Sequence, residues 1–188
     1  MPVEIEIKLP VSNVESARAA ILGLGYTVHH ERAHEWNAVF DSRDLRLRGK
    51  GVLLRLRQFG PTATLTFKGA SVDGRHKQRE EIETAVSDAE AAALILDRLG
   101  LRPVFRYEKY RTEYTKPGEH GIVTVDETPI GNFLELEGPP AWIDNVAGLL
   151  GFQERDYIKL SYGALYNQHC QSTGTKAADM LFEAKAHV

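Results

Sequence analysis

Acidic and basic side chains alternate with apolar ones in several short segments of this chain, and charges spaced in this way can bind phosphates and metal ions. The first example is Glu4-Ile5-Glu6-Ile7-Lys8. Alternate residues of a β-strand face opposite sides, so Glu4, Glu6 and Lys8 share one face. Arginine and lysine bind phosphate oxygens, while clustered carboxylates are hard oxygen ligands for Mg²⁺ or Mn²⁺. Such a face therefore suits a polyphosphate with bound divalent cations.

The same alternation recurs along the chain with both signs of charge. The acids in phase with it are Glu4, Glu6, Glu81, Glu83, Asp126, Glu135 and Glu137. The bases are Lys8, Arg55, Arg57, Lys68, Lys109, Arg111 and Lys159. A wall of bases alone would bind anions but no metal, and a wall of acids alone would repel phosphates. The balanced set predicts a site for both.

Two arrangements of strands account for this pattern. An antiparallel sheet with one face in water is the common one. A closed barrel would instead turn every charged face inward, which is costly unless the charges are paired, hydrated or bound to ions. Three Glu-x-Glu pairs, with the basic pairs in separate strands, favour the barrel.

Amphipathic segments between the strands predict helices. One begins after Ser12 or Asn13 and continues to about Leu24, and a second begins at Ser87-Asp88 and stops at Gly100. Further helices are predicted over 141–150 and 160–168. The basic, glycine-broken segment 43–51 and the segment 70–77 are predicted to be loops. We expect the main domain to span residues 1–168, followed by a C-terminal tail over residues 169–188.

Composition restricts the class of protein. The 188 residues are 43% hydrophobic and 26% charged, as in ordinary globular domains, and the net charge of −3 does not suggest a nucleic-acid partner or an anionic membrane surface. A single cysteine excludes an intrachain disulfide and fits a reducing compartment. No signal peptide or membrane-length apolar run is recognisable. We therefore expect a cytoplasmic protein, either a monomer or a homodimer.

These motifs, taken in order, resemble the CYTH superfamily, also called the triphosphate tunnel metalloenzymes. The resemblance begins at Glu4-x-Glu6-x-Lys8 and extends to about Tyr166. The other landmarks are Leu54-Arg55-Leu56-Arg57, Thr66-Phe67-Lys68-Gly69, Arg79-Glu80-Glu81-Ile82-Glu83, Lys109-x-Arg111, Asp126 with Gly131-x-Phe133-x-Glu135-x-Glu137, and Lys159-x-Ser161-Tyr162. Within this superfamily, the sequence motifs are most similar to those of the class IV adenylate cyclase branch. Val39 departs from the tyrosine that many relatives carry there.

The resemblance implies an α+β fold, a closed antiparallel eight-stranded β-barrel that forms a triphosphate tunnel, with helices packed outside. It implies a metal-dependent enzyme, most similar to cyclases that convert ATP to cyclic AMP and pyrophosphate. An inorganic or thiamine triphosphatase is the alternative within the same class. A non-catalytic protein that binds polyphosphate or an organic triphosphate is the alternative outside it.

Residue roles follow from the same resemblance. The triphosphate is expected to contact Lys8, Arg55, Arg57, Lys68, Lys109, Arg111 and Lys159. Mg²⁺ or Mn²⁺ is expected to bind Glu4, Glu6, Asp126, Glu135 and Glu137. Catalytic roles are expected for Lys8, Glu81 and Glu83, where the two glutamates either bind a second metal ion or orient the nucleophile. Lys8 is either a base whose pKa neighbouring cations lower, or the partner of Glu4 or Glu6 in an ion pair. The nearby His29, His30 and His34 lack a strong metal-binding spacing.

Overall fold

The structure is a computed structural model that describes residues 3–72 and 74–183. Its strands are β1 (Val3–Val11), β2 (Thr27–Ser42), β3 (Leu53–Phe59), β4 (Thr62–Lys68), β5 (Lys77–Val86), β6 (Leu101–Thr115), β7 (Ile122–Thr128) and β8 (Gly131–Glu137). Its helices are α1 (Val14–Gly23), α2 (Arg46–Gly49), α3 (Ala89–Arg98), α4 (Pro140–Leu149) and α5 (Tyr162–Thr173), with a 3₁₀ turn over Glu154–Asp156. None of these described helices is both long and apolar enough to cross a lipid bilayer.

The strands form one closed barrel in the order β1-β5-β4-β3-β2-β6-β7-β8, and every neighbouring pair is antiparallel. Closure depends on β1, which pairs with β5 on one side and with β8 on the other. Beyond the stretch of β1 that pairs with β5, Ile158 forms an antiparallel bridge with Lys8. The predicted closed antiparallel barrel with helices outside is confirmed.

The apolar core lies outside the barrel rather than within it. Ile7 and Leu9 are fully buried on the outer face of β1, beneath Ile21 of α1 and Ile143 of α4. Burial of such a side chain contributes about 1.5–3 kcal/mol relative to exposure. A second cluster joins Leu96 of α3 to the outer faces of β2 and β3. Because the period-two alternation assigns apolar residues to this outer face, it leaves the charged residues facing the barrel axis.

Side-chain caps and glycines set the helix ends. Asn13 Oδ1 accepts a 2.8 Å hydrogen bond from Ser16 N, and Asp88 Oδ1 accepts one of 2.9 Å from Ala91 N, so both predicted starts agree with the structure. Gly100 has φ +82°, a conformation that ends α3 without steric cost.

Two segments differ from the sequence predictions. The segment 43–51 contains the one-turn helix α2, because Asp41 accepts backbone hydrogen bonds from Ser42, Leu47 and Arg48 at 2.7–2.9 Å. Helix α5 continues through Thr173, so the predicted boundary at residue 168 falls inside it. Beyond α5 the chain returns to the barrel.

Candidate active site

The inward faces of the strands enclose a cavity of about 1080 Å³. Seven basic side chains that line it are buried: Lys8, Arg55, Lys68, Lys77, Arg79, Lys109 and Arg111. Acidic side chains from β1, β5 and β8 share the same wall. A buried charge is tolerated only when it is paired, so the pairing pattern determines which groups a ligand can reach.

Strand register brings these charges together from distant parts of the sequence. On β1, Glu4 lies opposite Arg79 of β5, and Glu6 lies between Lys77 of β5 and Glu137 of β8. Lys8 lies opposite Glu135 on β8, and its Nζ atom is 2.8 Å from a carboxylate oxygen of that residue. Each charged residue of β1 therefore belongs to an ion pair with a neighbouring strand.

Asp126 is the centre of the most deeply buried group of charges. Its Oδ1 atom accepts a 2.7 Å hydrogen bond from Arg111 Nε, and its Oδ2 atom accepts bonds from Arg111 Nη2 (2.6 Å), Lys109 Nζ (2.8 Å) and the Tyr162 hydroxyl (2.6 Å). Arg111 also bonds Glu135. Both oxygens of Asp126 are therefore engaged by protein donors, and the residue is fully buried.

A second group of charges surrounds Glu4. Lys68 Nζ lies 2.6 Å from Glu4 Oε1 and 3.1 Å from Glu81 Oε1, while Arg79 Nε lies 3.1 Å from Glu4 Oε2. Lys77 pairs with Glu6 alongside it. The lysines and the carboxylates therefore neutralise each other when no ligand is bound.

The basic strand β3 forms a third group. Arg57 Nη2 lies 3.1 Å from Glu83 Oε1, and the hydroxyl of Thr66 donates a 2.8 Å hydrogen bond to Glu83 Oε2. Arg55 is 3.8 Å from the same carboxylate and donates a 3.4 Å bond to the Tyr107 hydroxyl. These two arginines are less tightly paired than Lys109 and Arg111, and so are more available to an anion.

Comparison with known proteins agrees with this arrangement. The family model of the CYTH domain matches residues 2–147. The chain belongs to the CYTH family. A protein of Methanocaldococcus jannaschii, provisionally named an adenylate cyclase, is 30% identical over 135 residues, which are 72% of this chain and 76% of the relative. The adenylate cyclase CyaB of Aeromonas hydrophila is 31% identical over 134 residues, 71% of this chain and 67% of the relative.

A solved structure supports the CYTH fold. A Vibrio parahaemolyticus protein, also provisionally named an adenylate cyclase, superposes with a TM-score of 0.77 and covers 87% of this chain and 97% of its own. At 19% sequence identity this likeness concerns the fold alone.

The protonation of Lys8 differs from one of the two sequence interpretations. Burial alone would lower the pKa of Lys8, but the carboxylates of Glu135 and Glu6 outweigh it and raise that pKa above its ordinary value. The expectation of a lowered pKa was wrong. The ion-pair interpretation agrees with the geometry, because Lys8 Nζ lies 3.4 Å from Glu6 Oε1, one of the two expected partners, although Glu135 is nearer at 2.8 Å. Lys77, by contrast, has a lowered pKa. Burial and the nearby charge of Lys8 lower the pKa of Lys77 to about 8.

Two carboxyl groups of the tunnel bind protons more strongly than usual. Burial and the charges of Glu4 and Glu6 raise the pKa of Glu137 to about 7, even though its side chain lies at an open end of the tunnel. Burial, together with the charge of Glu4, raises the pKa of Glu81 above its ordinary value despite the adjacent Lys68. Burial is the largest cause of both shifts, and repulsion by neighbouring carboxylates adds to it.

Among the described residues, no three His, Cys, Asp or Glu side chains form a ready-made coordination shell. The donor chemistry nevertheless fits a divalent cation, because Glu4, Glu6 and Glu137 are oxygen ligands, and repulsion by Glu4 and Glu6 adds to burial in raising the pKa of Glu137. A cation would relieve that repulsion. Asp126 is engaged by four donor contacts from Arg111, Lys109 and Tyr162, so a cation would have to displace one of them to bind it.

The remaining site residues lie at other depths. Lys159 is exposed at the tunnel rim, where its Nζ atom donates a 2.6 Å hydrogen bond to Gly74 O.

The sequence predictions missed the fully buried Glu35. Although burial raises its pKa, Lys109 and Arg111 lower that pKa to about 2. They also missed Lys77, which was assigned to a loop. The only signal for Glu35 was its Glu35-x-Asn37 spacing.

The two ends of the tunnel differ in chemistry. One end of the tunnel is acidic. Strands β5, β6 and β8, which are not neighbours, run in the same direction, and near their C-terminal ends lie Glu83, Glu113 and Glu137. The opposite end is lined by Val39 and Phe105 together with Lys159 and other residues of the chain after β8, so it combines apolar and basic side chains.

Proposed function

We propose that this CYTH protein is an enzyme that binds a triphosphate inside the barrel and catalyses attack on one of its phosphorus atoms. The observation that carries the proposal is the set of seven buried basic side chains around one enclosed cavity. Guanidinium groups bind phosphate oxygens in pairs, and lysines add point charges. A polyanion accounts for a set of buried cations that an ordinary β-barrel would exclude.

The proposed phosphate contacts extend along the tunnel. They are Lys8, Arg55, Arg57, Lys68, Lys109, Arg111 and Lys159, to which the geometry adds Lys77 and Arg79. Arg55 and Arg57 are proposed as the first contacts because Glu83, their shared partner, is partly exposed and easily displaced. Lys109 and Arg111 are held rigidly by Asp126, so we expect them to be preorganised for the phosphate.

Mg²⁺ or Mn²⁺ is proposed as the cofactor, with Glu4, Glu6, Glu135 and Glu137 as candidate ligands. Asp126 remains a further candidate ligand from the sequence, and because four donor contacts engage its carboxylate it is also proposed to position Lys109 and Arg111. When bound, the cation would neutralise phosphate charge and polarise the phosphorus–oxygen bond. Glu137 would then lose the proton that its raised pKa now retains near pH 7.

Cyclisation of ATP is the reaction proposed first, since both similar curated proteins are named adenylate cyclases. The ribose 3′-oxygen would attack the α-phosphorus, its proton would pass to Glu81, and pyrophosphate would leave. Glu81 suits this role because its raised pKa makes it a stronger base than an ordinary carboxylate. Lys8 and Glu83 are proposed to position the phosphate chain and the attacking group.

Hydrolysis of a triphosphate is the second candidate. The partly exposed Glu83 at the acidic end indicates that water can enter the tunnel there, and water is the nucleophile that a triphosphatase needs. A binder without catalysis is the third candidate. It would need neither a carboxyl group with the proton affinity of Glu81 nor the acidic group around Glu137.

A product assay on the purified chain separates these candidates. ATP, inorganic triphosphate and thiamine triphosphate are each supplied with Mg²⁺ or Mn²⁺, and cyclic AMP and free phosphate are quantified separately. Cyclic AMP with pyrophosphate supports the cyclase, while phosphate without cyclic AMP supports the triphosphatase. Loss of either product in Glu81→Gln, with binding retained, supports the role of Glu81. Absence of every product would contradict the enzyme proposal.

We also propose a cytoplasmic setting, in which ATP and divalent cations are available. It is supported by the single cysteine of the sequence, Cys170, which is buried and unpaired within α5. A monomer or a homodimer remains the proposed assembly.

A further inference from the structure

Glu35 of β2 is a buried acid that has no role in the reaction proposed above. Its side chain is fully buried, and because none of its surface is accessible it cannot touch a ligand in the cavity. The side chains that line the cavity do not include it. Any effect of Glu35 on a bound phosphate must therefore pass through its neighbours.

The neighbours of Glu35 are the two bases of β6. Glu35 lies opposite Lys109 in the β2–β6 register, and its Oε1 atom is 3.4 Å from Lys109 Nζ. Its Oε2 atom is 3.8 Å from Arg111 Nε and accepts no hydrogen bond from the residues that the structure describes. Asp126 of β7 contacts the same two bases from the other side of β6. Lys109 and Arg111 thus lie between two carboxylates.

Asn37 fixes the orientation of the Glu35 carboxylate. Residues 35 and 37 share one face of β2. The Nδ2 atom of Asn37 donates a 2.9 Å hydrogen bond to Glu35 Oε1, and both side chains are fully buried. Because Asn37 is uncharged, it orients the carboxylate without neutralising it. The negative charge of Glu35 therefore acts on Lys109 and Arg111.

Glu35 also completes a balance of charge inside the barrel. Three bases and three acids form one buried group of contacting side chains there: Lys8, Lys109, Arg111, Glu35, Asp126 and Glu135. Glu6, which lies 3.4 Å from Lys8, is itself paired with Lys77. Loss of the charge of Glu35 would leave three bases facing two acids.

The ionisation of Glu35 agrees with this balance. Burial raises its pKa, but the charges of Lys109 and Arg111 outweigh burial and bring the pKa to about 2. The carboxylate is therefore negative at neutral pH. A buried cation without a partner attracts an anion more strongly than a paired cation does, because little water screens it. Tight binding of the substrate alone does not accelerate a reaction, whereas fixed placement of charges for the transition state does.

We propose that Glu35 is a positioning residue of the triphosphate site, which holds Lys109 and Arg111 in place and neutralises one buried cation, so that phosphates bind less tightly and turn over faster. The inference rests on the proposed function. It adds a residue that controls ligand affinity without touching the ligand, and it assigns to Asn37 the task of orienting that residue.

Two variants separate the charge of Glu35 from its orientation. Calorimetry measures the Kd of inorganic tripolyphosphate with a chelator present, and kcat is measured with ATP and with tripolyphosphate in the presence of Mg²⁺. Glu35→Gln keeps the shape of the side chain and leaves one cation without a partner. We expect it to bind tripolyphosphate roughly 5- to 50-fold more tightly and to lower kcat by about fivefold or more. Asn37→Leu keeps the charge, so its Kd should stay within about twofold of the wild type while its kcat falls.

Glu31→Gln, the same substitution at an exposed position of β2, is the control and should match the wild type. Unchanged or weaker binding of tripolyphosphate by Glu35→Gln would overturn the inference, since removal of a merely structural acid would not tighten binding. Thermal denaturation checks that each variant is folded. If Glu35→Gln is not folded, Asn37→Leu decides, and an unchanged kcat in that variant would overturn the inference. If the wild-type chain binds neither ATP nor tripolyphosphate, the proposed function itself fails.

Discussion

The Nζ atom of Lys68 lies 2.6 Å from Oε1 of Glu4, and both side chains are buried within the barrel. Each residue has a further partner: Glu81 for the lysine and Arg79 for the glutamate. Removing one member of such a pair leaves a buried charge that its partner no longer compensates, whereas removing both keeps the net charge of the site, although Arg79 and Glu81 each lose one contact. The pair is therefore expected to contribute to the stability of the barrel.

A double-mutant cycle measures the coupling between the two charges. We expect Glu4→Gln alone to lower the free energy of unfolding by about 3–5 kcal/mol, the usual cost of breaking a buried ion pair. In Glu4→Gln/Lys68→Met the loss should be smaller than the sum of the two single losses by about 1–3 kcal/mol. Urea unfolding followed by circular dichroism provides the values. Strict additivity would show that the two charges do not interact.

Asp126→Asn distinguishes the positioning role from metal binding. Four donor contacts meet at this buried carboxylate, so we expect the variant to lose about 3–5 kcal/mol of unfolding free energy. Its midpoint of activation by Mg²⁺ should stay within about twofold of the wild type because the oxygens face protein donors. Glu137→Gln is the matched comparison and should raise that midpoint. A large rise for Asp126→Asn would show that Asp126 is a metal ligand.

The raised pKa of Glu137 predicts that the free energy of unfolding depends on pH. Its pKa is raised from 4.5 to about 7 in the folded state, so the folded chain holds this proton more tightly than the unfolded chain does. The contribution to the free energy of unfolding therefore falls as pH rises from about 4.5 to about 7. With a chelator present, Glu137→Gln should unfold at a higher temperature than the wild type at pH 8 and at the same temperature at pH 4.

The metal adds a second part to this test. At pH 8, Mg²⁺ should raise the Tm of the wild type more than that of Glu137→Gln, because the cation replaces the missing proton. The exposed Glu31→Gln is the control and should follow the wild type throughout. Equal Tm values for wild type and Glu137→Gln at pH 8, with and without Mg²⁺, would contradict both the raised pKa and the proposed ligand.

Arg57→Ala tests the phosphate contacts with little disturbance of the fold. Its partner Glu83 is partly exposed, so we expect only a small change in unfolding free energy. Loss of a charge-assisted hydrogen bond to phosphate is worth about 1.5–3 kcal/mol, which lowers kcat/KM by roughly 10- to 150-fold. Arg98→Ala, on the exposed surface of α3, provides the reference. A kcat/KM equal to that of the reference would exclude Arg57 from the substrate site.

The sequence predicts the barrel wall well where strands are regular. On β1, β3 and β8 a strict period of two specifies which side chains face inward, and each of Glu4, Arg55 and Glu135 lines the cavity as predicted. On β2 the register shifts between Val28 and His30, between His30 and Ala33, and between Val39 and Phe40. A phase cannot be followed across such irregularities, and for this reason Glu35 was missed.

Pairing partners are a second feature that sequence patterns do not supply. The position of Glu135, rather than Glu6, as the nearer partner of Lys8 follows from the β1–β8 register, which depends on how the barrel closes. The same holds for Asp126, whose contacts with Lys109, Arg111 and Tyr162 join strands β6 and β7 to helix α5. Charge type is local information, but charge neutralisation is a property of the closed fold.

The position of β1 between β5 and β8 has a consequence for how the protein is made. Strand β1 cannot complete its pairing until β8 has been synthesised, because Glu6 lies opposite Glu137. Pairing over such sequence separations is slow compared with the formation of local hairpins and helices. Barrel closure is therefore the late event in folding, and a nascent chain that lacks β8 keeps its acids and bases hydrated. The cavity is therefore enclosed only once β8 is present.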